Sequence, residues 1–139
     1  MTSERTAIAL GSNLGDRTAV LARARTAIAA LPATRIVAAS TVEETDPLGP
    51  VAQGAFLNQM LLVETGLAPR DLLEALLAIE RAEGRVRGAR WGPRTLDCDI
   101  VLYGGRIVRE PDLVIPHPEL PNRPFWQREL EALHVGLPV

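Results

Sequence analysis

Residues 95–103 read TLDCDIVLY and form the fourth strand in the predicted order of elements. Its length and its apolar residues predict a strand that is buried over most of its course. Successive side chains of a strand point to opposite faces. One face is expected to carry Leu96, Cys98, Ile100 and Leu102. The opposite face is expected to carry two carboxylates and two larger side chains: Asp97, Asp99, Val101 and Tyr103.

Upstream of this strand, hydrophobic periodicity predicts three further strands and two helices. The strands are TAIAL (6–10), RIVAASTVEE (35–44) and FLNQMLLVETG (56–66). The helices are 16–31, with Asp16 or Asn13 as the N-cap, and 69–83, which begins at Pro69. GSNLGD (11–16) is expected to be only a strand-to-helix turn. Downstream, GGRIV (104–108) predicts a hairpin arm, and WQRELEALHV (126–135) is amphipathic.

The order β-α-β-β-α-β is typical of the ferredoxin-like arrangement, in which two helices pack on one face of an antiparallel sheet. We therefore predict an α+β, ferredoxin-like sandwich in which residues 1–139 form a single domain with a C-terminal extension. This topology is expected to place the first and fourth strands near the centre of the sheet. Fold class alone does not establish an activity.

The composition excludes several kinds of protein. Hydrophobic residues make up 47% of the chain, but the longest apolar runs are far shorter than a membrane span, so we expect no membrane contact. The N-terminal residues lack the basic and apolar pattern of a signal peptide. Cys98 is the only cysteine, which excludes an internal disulfide and a cysteine-based metal site and predicts a reducing, cytoplasmic location.

All 15 basic residues are arginines, and the chain contains no lysine. A Walker-type phosphate loop requires a lysine after its glycines, so that kind of nucleotide site is excluded. The net charge of −2 gives no overall attraction to nucleic acid, which we do not expect as a partner. Positive charge is nevertheless concentrated between residues 81 and 94, where five arginines accompany a single acid: Arg81, Arg85, Arg87, Arg90 and Arg94 with Glu83.

Asp97 and Asp99 are the candidate metal ligands. Two neighbouring carboxylates repel each other unless a cation lies between them, and magnesium is commonly held by one or two carboxylates together with substrate phosphates. The alternative is that each aspartate pairs with an arginine or faces solvent, and for an arbitrary D-x-D this alternative is favoured. The loop 84–94 favours a magnesium–nucleotide site instead, because its guanidinium groups suit phosphate oxygens and Trp91 needs a docking partner.

A second group of residues suits a flat heterocycle. Phe56 and Phe125 could stack on a ring, and the Asn58 side chain offers both a donor and an acceptor to its edge. The alternative for each phenylalanine is an ordinary place in the core. His117, between two prolines in IPHPEL, could bind phosphate, ligate a metal, act as an acid or be structural.

Five segments resemble, in the order of the chain, the signatures of one enzyme family: IALGSNLGD, TDPLGP, FLN, GRVRGARWGPRTLDCDI and PDLVIPHPELPNRPF. They are similar to the 6-hydroxymethyl-7,8-dihydropterin pyrophosphokinase family over roughly residues 6–125. The resemblance implies a ferredoxin-like fold and a folate-pathway enzyme that transfers pyrophosphate from ATP to the hydroxymethyl group of a reduced pterin, with release of AMP. We expect a monomer whose partners are these two small-molecule substrates.

The resemblance also implies a role for individual residues. Asp97 and Asp99 would hold two magnesium ions, and with Arg85 and Arg94 they would be the catalytic residues. ATP would be bound by the same arginines and by Glu80, Trp91, Ile100, Leu113, His117 and Arg123. The pterin pocket would consist of Thr45, Leu48, Phe56, Asn58 and Phe125, with the two phenylalanines on either side of the ring. After Phe125 the chain departs from the family pattern, since WQRELEAL stands where an apolar segment and a proline are usual.

The mechanism expected from these residues is in-line attack of the pterin hydroxyl on the β-phosphorus of ATP, with catalysis by positioning and electrostatics. The loops 45–55 and 84–94, which contain glycine and proline, are expected to close over ATP. Two other functions stay open. One is an RNA-binding module, which this sheet topology also serves, although the strands lack paired aromatic residues for base stacking. The other is a binding scaffold that has lost activity.

Overall fold

The computed structural model describes residues 4–13, 15–46, 55–84 and 95–135. The strands within these ranges are β1 (Glu4–Ser12), β2 (Thr34–Ala39), β3 (Glu43–Thr45), β4 (Phe56–Thr65), β5 (Asp97–Tyr103), β6 (Val108–Glu110) and β7 (Leu113–Ile115). The helices are α1 (Arg17–Ala29), α2 (Pro69–Ala82) and α3 (Pro124–Ala132), and a 3₁₀ turn is formed by Leu120–Asn122.

The main sheet is antiparallel with the strand order β2-β4-β1-β5, and β3 also pairs with β4. This order and the helices that connect the strands confirm the predicted α+β, ferredoxin-like fold. The expected centre of the sheet is only half correct. β1 is central, but β5, the fourth predicted strand, ends the described sheet, because β4 pairs with the whole of β1 and leaves only the other edge to β5.

Helices α1 and α2 pack on one face of this sheet. Asp16 is the N-cap of α1, since its carboxylate accepts the Ala19 N–H at 3.2 Å. Helix α2 begins at Pro69, where the missing N–H of proline costs no hydrogen bond. The apolar stripes of both helices join a common core with β1, β4 and β5. Its helical members include Val20, Leu21, Ala24 and Ile28 of α1 and Leu72, Leu76 and Ile79 of α2.

Helix α3 covers the opposite face of the sheet. Trp126 and Leu130 of α3 and Leu120 of the 3₁₀ turn are buried against the sheet. The sheet residues in this second core are Ala7 and Ala9 of β1, Met60 of β4, and Val101 and Leu102 of β5. The amphipathic C-terminal extension is therefore a helix that adds a third layer, so that helices cover both faces.

An irregularity in β5 changes which of its side chains share a face. The pairing with β1 skips Val101, which is an extra residue without a partner there. Residues before it alternate as predicted, with Cys98 and Ile100 packed toward α1 and α2. Beyond the bulge the predicted faces are wrong, because the extra residue reverses the alternation. Leu102 packs beneath α3, and Tyr103 packs on the side of α1 and α2.

The predicted strand 35–44 is divided into β2 and β3. Between them, residues 40–42 lie opposite only two residues of β4, because the pairing with β2 stops at Leu61 and resumes with β3 at Asn58. Ser40 stabilises this interruption with two hydrogen bonds of 2.9 Å: its N–H donates to the Met60 carbonyl, and its hydroxyl accepts the Met60 N–H. The single predicted strand is thus two short strands joined by a bulge.

Residues 104–108 lead into β6, which pairs with β7 in a separate two-stranded sheet. Of the predicted hairpin arm 104–108, only Val108 is in a strand, and this strand, β6, pairs with the following β7 and not with β5. No helix within the described ranges is long and apolar enough to cross a membrane.

Leu72→Ala tests the core beneath α1 and α2. Leu72 is fully buried, and its truncation should lower the free energy of unfolding by about 2–5 kcal/mol because it leaves a cavity. Urea denaturation followed by circular dichroism measures the change. Glu74→Ala, at an exposed position of the same helix, is the control and should stay within about 0.5 kcal/mol of the wild type. Equal losses in the two variants would contradict the assigned core.

Candidate active site

The face of the sheet beneath α3 carries most of the candidate residues that the structure describes. The backbone register places one row of residues across β3, β4, β1 and β5: Glu43, Asn58, Gly11 and Asp97. Directly opposite residues of antiparallel strands point to the same side, and Met60, two residues after Asn58, packs beneath α3. With about 4.8 Å between strands, Asn58 and Asp97 are about 10 Å apart on either side of Gly11.

Gly11 leaves space between these two side chains. A Cβ atom at this position would lie 3.3 Å from Asn58 Oδ1 and 3.6 Å from the Phe56 ring. The first distance is tighter than ordinary van der Waals contact, so a larger residue would displace the amide. The sequence predicts a turn here, but Gly11 and Ser12 continue β1. In a sequence, a glycine beside a predicted turn indicates only the turn. The role of Gly11 in the site becomes visible only when its neighbours on β4 and β5 are known.

Asp97 and Asp99 are half-buried and, as predicted, lie on the same face of β5. His117 Nε2 is 3.5 Å from Asp99 Oδ1. The other ring nitrogen, Nδ1, accepts the Glu119 N–H at 3.1 Å, so the proton of a neutral His117 is on Nε2. His117 therefore faces the carboxylate as a donor.

The bulge in β5 positions His117. Val101 has no partner on β1, and its carbonyl oxygen accepts the His117 N–H at 3.0 Å. This hydrogen bond fixes the segment after β7 alongside β5, close to Asp99. A local irregularity of the strand thus brings a histidine that is distant in sequence next to the carboxylate pair.

Two further side chains, Trp126 of α3 and Arg123 just before it, continue the row of contacts that begins at His117. The rings of His117 and Trp126 meet edge to face with centroids 4.9 Å apart, and the Arg123 guanidinium lies 4.4 Å from the centre of the Trp126 ring. Arg123 Nε is buried and has no hydrogen-bond partner among the described residues. A guanidinium with an unused donor suits an anion such as phosphate. Sequence reasoning missed Trp126, whose place in an amphipathic stretch indicates only a core residue.

Thr45, Phe56 and Asn58 come together where β3 pairs with β4. Thr45 lies opposite Phe56, and Asn58 Nδ2 donates a hydrogen bond to Thr45 Oγ1. Phe56 and Phe125 are both half-buried, and Phe125 packs against the core beneath α3. The structure thus brings four of the five predicted pterin-pocket residues to this face. The fifth, Leu48, lies outside the described residues.

Three predicted nucleotide-binding residues have their side chains on the other face. Ile100 and Leu113 are buried in the core with α1 and α2. Glu80 of α2 is 4% exposed, and its Oε2 accepts the Cys98 N–H at 2.8 Å. These side chains lie on the side of the sheet that faces α1 and α2, where they support β5. The structure does not bring them to the face that carries the aspartates.

The predicted phosphate-binding residues Arg85, Trp91 and Arg94 lie outside the described residues, so their roles stay predictions. Within the described ranges, no group of three or more histidine, cysteine, aspartate or glutamate side chains could hold a metal ion. Magnesium does not require such a group, because it keeps several waters and binds one or two carboxylates together with substrate phosphates. The donor set of Asp97 and Asp99 therefore fits magnesium that arrives with a nucleotide.

The chain resembles one group of known proteins. Residues 7–135 match the family model described as 7,8-dihydro-6-hydroxymethylpterin-pyrophosphokinase (HPPK). Over 122 residues the chain is 48% identical to the 2-amino-4-hydroxy-6-hydroxymethyldihydropteridine pyrophosphokinase of Pseudomonas aeruginosa, which covers 88% of this chain and 75% of that protein. The proteins of the same name from Methylorubrum extorquens and Bacillus subtilis are 46% and 42% identical, covering 87% and 85% of this chain and 77% and 71% of theirs.

Glu80→Ala tests the contact behind the carboxylate pair. The variant leaves the buried Cys98 N–H without this acceptor, and we expect the free energy of unfolding to fall by about 1–3 kcal/mol. Glu80→Gln keeps a carbonyl acceptor on a side chain of the same length and should lose less. Urea denaturation compares these proteins, with the exposed Glu74→Gln as the control. A Glu80→Ala protein as stable as the control would show that the contact contributes nothing.

Proposed function

The chain belongs to the 7,8-dihydro-6-hydroxymethylpterin-pyrophosphokinase family, and from this premise we propose that the sheet face beneath α3 is its active site. The protein is a pyrophosphokinase that transfers pyrophosphate from ATP to the hydroxymethyl group of 6-hydroxymethyl-7,8-dihydropterin in folate biosynthesis, releasing AMP. The row of Asn58, Gly11 and Asp97 carries the assignment to this face. It puts an amide suited to a heterocycle and a carboxylate suited to a metal on either side of a glycine.

Asp97 and Asp99 are proposed to hold two magnesium ions together with the phosphates of ATP. When bound, magnesium would neutralise negative charge on the triphosphate and on the transferred group. His117 Nε2 lies 3.5 Å from Asp99 Oδ1 and so restricts the orientation of that carboxylate, and its second oxygen is assigned as the magnesium ligand. Both aspartates are half-buried, which reduces the screening of their charges by water and strengthens their attraction for a cation.

The triphosphate is proposed to lie along His117 and Arg123. Arg123 has a buried Nε donor without a partner among the described residues, and Trp126 supports its guanidinium group. We assign Arg85, Trp91 and Arg94 to the same side because the segment GRVRGARWGPR directly precedes β5. Arg85 and Arg94 would stabilise charge on the transferring group, since a guanidinium forks onto two phosphate oxygens.

The nucleoside of ATP is proposed to lie near the edge of β5. The side chains of Ile100 and Leu113 are buried in the opposite core, so contacts with the nucleoside would use their backbone atoms. Glu80 would act on the nucleotide site indirectly, because it fixes the backbone at Cys98, between the two aspartates.

The pterin is proposed to bind beside Asn58. The amide offers a donor and an acceptor to the edge of the heterocycle, and Thr45 holds the amide by a hydrogen bond. Phe56 and Phe125 present half-buried rings suited to stacking on the two sides of the pterin, and Leu48 is assigned to the same pocket. The distance of about 10 Å across Gly11 allows the ring to lie over the glycine with its hydroxymethyl group near the carboxylates.

In this arrangement the pterin hydroxyl attacks the β-phosphorus in line, and AMP leaves. The protein's contribution is to hold the two substrates so that the reacting atoms meet and to place positive charge at the transferred phosphates. We assign no side chain within the described ranges as a general base.

The protein is proposed to act as a monomer without a nucleic-acid partner. RNA-binding modules of this topology expose the sheet for base stacking, whereas α3 covers that face here. The same face carries two carboxylates, which would repel a phosphate backbone. A scaffold that has lost activity is disfavoured by the presence of Asp97, Asp99 and Asn58.

Asp97→Asn and Asp99→Asn test the metal assignment. Each variant removes a carboxylate charge at nearly constant size, and the rate of AMP release with ATP, the pterin and magnesium should fall at least about 100-fold. Asp112→Asn, at an exposed aspartate that pairs with Arg70, is the matched control and should keep the wild-type rate. Full activity in either active-site variant would refute the role given to that residue.

Gly11→Ala tests the space between the two halves of the site. The new methyl group would lie 3.3 Å from Asn58 Oδ1 and displace the amide. With a non-reactive ATP analogue bound, pterin affinity should fall about tenfold or more, while the affinity for the analogue itself changes little. Isothermal titration separates the two effects. Gly105→Ala is the control, because a Cβ atom there meets nothing within 4 Å, and weakened nucleotide binding alone would contradict the proposed layout.

A further inference from the structure

Glu129 of α3 is a buried carboxyl group that the proposed function does not use. It is 5% exposed, and both of its carboxylate oxygens are buried without an N–H or O–H donor among the described residues. Glu129 follows Phe125 by four residues, so the two side chains lie on the same side of the helix. An ionised carboxylate in such a place is strongly unfavourable, so the group needs either a cationic partner or a proton.

The neighbour of Glu129 is another carboxyl group, Glu43 of β3. Glu43 lies opposite Asn58 in the sheet register, on the face that α3 covers. Arg128 Nη2 reaches the two oxygens of Glu43 at 3.5 and 3.4 Å. Burial raises the pKa of Glu129 to about 9, and the Glu43 carboxylate is the next cause. Arg128 acts in the opposite direction and has the smallest influence.

The remaining charged groups on the elements around α3 are engaged elsewhere. Glu44 of β3 pairs with Arg17, and Arg5 of β1 pairs with Glu64 at the far end of β4. The others include Asp97 and Asp99 on β5, His117 beside Asp99, and Arg123 over Trp126. The 3₁₀ turn contains no ionisable residue. The charge environment of Glu129 is therefore set by Glu43 and Arg128.

We propose that Glu129 is a positioning residue of the active site: it stays protonated at neutral pH, donates a hydrogen bond to Glu43, and thereby holds α3 and Phe125 against β3. The link to pterin binding rests on the function proposed above. Two carboxylates in contact, one of them buried, cannot both ionise at low cost, whereas a protonated carboxyl group donates a short, strong bond to a carboxylate. The proton resides on the more buried Glu129, and Arg128 neutralises Glu43.

The shared proton makes the docking of α3 dependent on pH. The unfolded chain holds the proton of Glu129 only below its ordinary pKa of 4.5, whereas the folded protein holds it up to about 9. Between these values the folded state binds one more proton than the unfolded state. The stability that the pair contributes is therefore complete below the unfolded pKa and is lost as pH rises through the folded pKa. Above that pKa, two negative charges repel each other between α3 and β3.

Glu129→Gln is the decisive variant, since its amide cannot ionise but still donates to Glu43. Relative to this variant, the wild type should lose stability between about pH 5 and pH 9, by up to about tenfold in the folding equilibrium constant per pH unit. Urea midpoints at matched pH measure the difference. Glu131→Gln, at an exposed position of the same helix, is the control and should follow the wild type.

The ¹³C chemical shift of the Glu129 carboxyl group in the wild type gives its pKa without any substitution. We expect a titration midpoint well above the ordinary value of 4.5. A midpoint near that ordinary value, with no pH-dependent difference between the wild type and Glu129→Gln, would overturn the proposal.

Pterin affinity, measured with a non-reactive ATP analogue bound, tests the link to Phe125. From about pH 7 to about pH 9.5 the wild type should lose about tenfold more pterin affinity than Glu129→Gln, and matched pH cancels the titration of the substrate itself. Equal pterin affinities at every pH would overturn the positioning role. If neither the wild type nor Glu129→Gln binds pterin but their stability difference still grows with pH, the proposed function fails. The shared proton and its role in docking α3 are then still supported.

Discussion

The structure depends on β1 being paired along both of its edges. β4 pairs with the whole strand, and β5 pairs with the opposite edge from Thr6 to Gly11. These two pairings bring segments that are far apart in sequence into one row, with Asn58 and Asp97 on either side of Gly11. If either register shifted by one residue, the side chain of Asn58 or Asp97 would point into the core beneath α1 and α2. The backbone hydrogen bonds of the sheet therefore set the relative positions of Asn58, Gly11 and Asp97.

The two faces of the sheet differ in the side chains that they carry. The face beneath α1 and α2 contains the larger aliphatic core, and its buried charge, Glu80, is used to hold the backbone of β5. The face beneath α3 combines a smaller core with the polar side chains of the site. Because most apolar burial occurs on the first face, the second can contain charged and polar groups at little cost to the fold. The side chains of three residues expected at the nucleotide, Glu80, Ile100 and Leu113, lie on the first face.

Local patterns were sufficient to predict the element order and the aspartate pair. The two-residue period places Asp97 and Asp99 on one face whatever their neighbours are, and the order of helices and strands selects the fold class. The bulge at Val101 could not be predicted, because hydrogen bonds to other segments determine it. The faces beyond the bulge, the contact of His117 with Asp99 and the space left by Gly11 all depend on contacts between distant segments. Side-chain chemistry therefore predicts which residues are candidates for the site, and tertiary contacts determine which of them meet.

The contacts that Glu80 and His117 make with β5 have a further consequence. β5 ends the described sheet, and an edge strand with free backbone groups invites pairing with a strand of another molecule. Glu80 occupies the Cys98 N–H and His117 the Val101 carbonyl, so two backbone groups that an added strand would need are already bonded. These two contacts thus reduce the number of backbone groups at this edge that an added strand could use. A substitution that loosens either contact would release one of these backbone groups and would also change the surroundings of the aspartate pair.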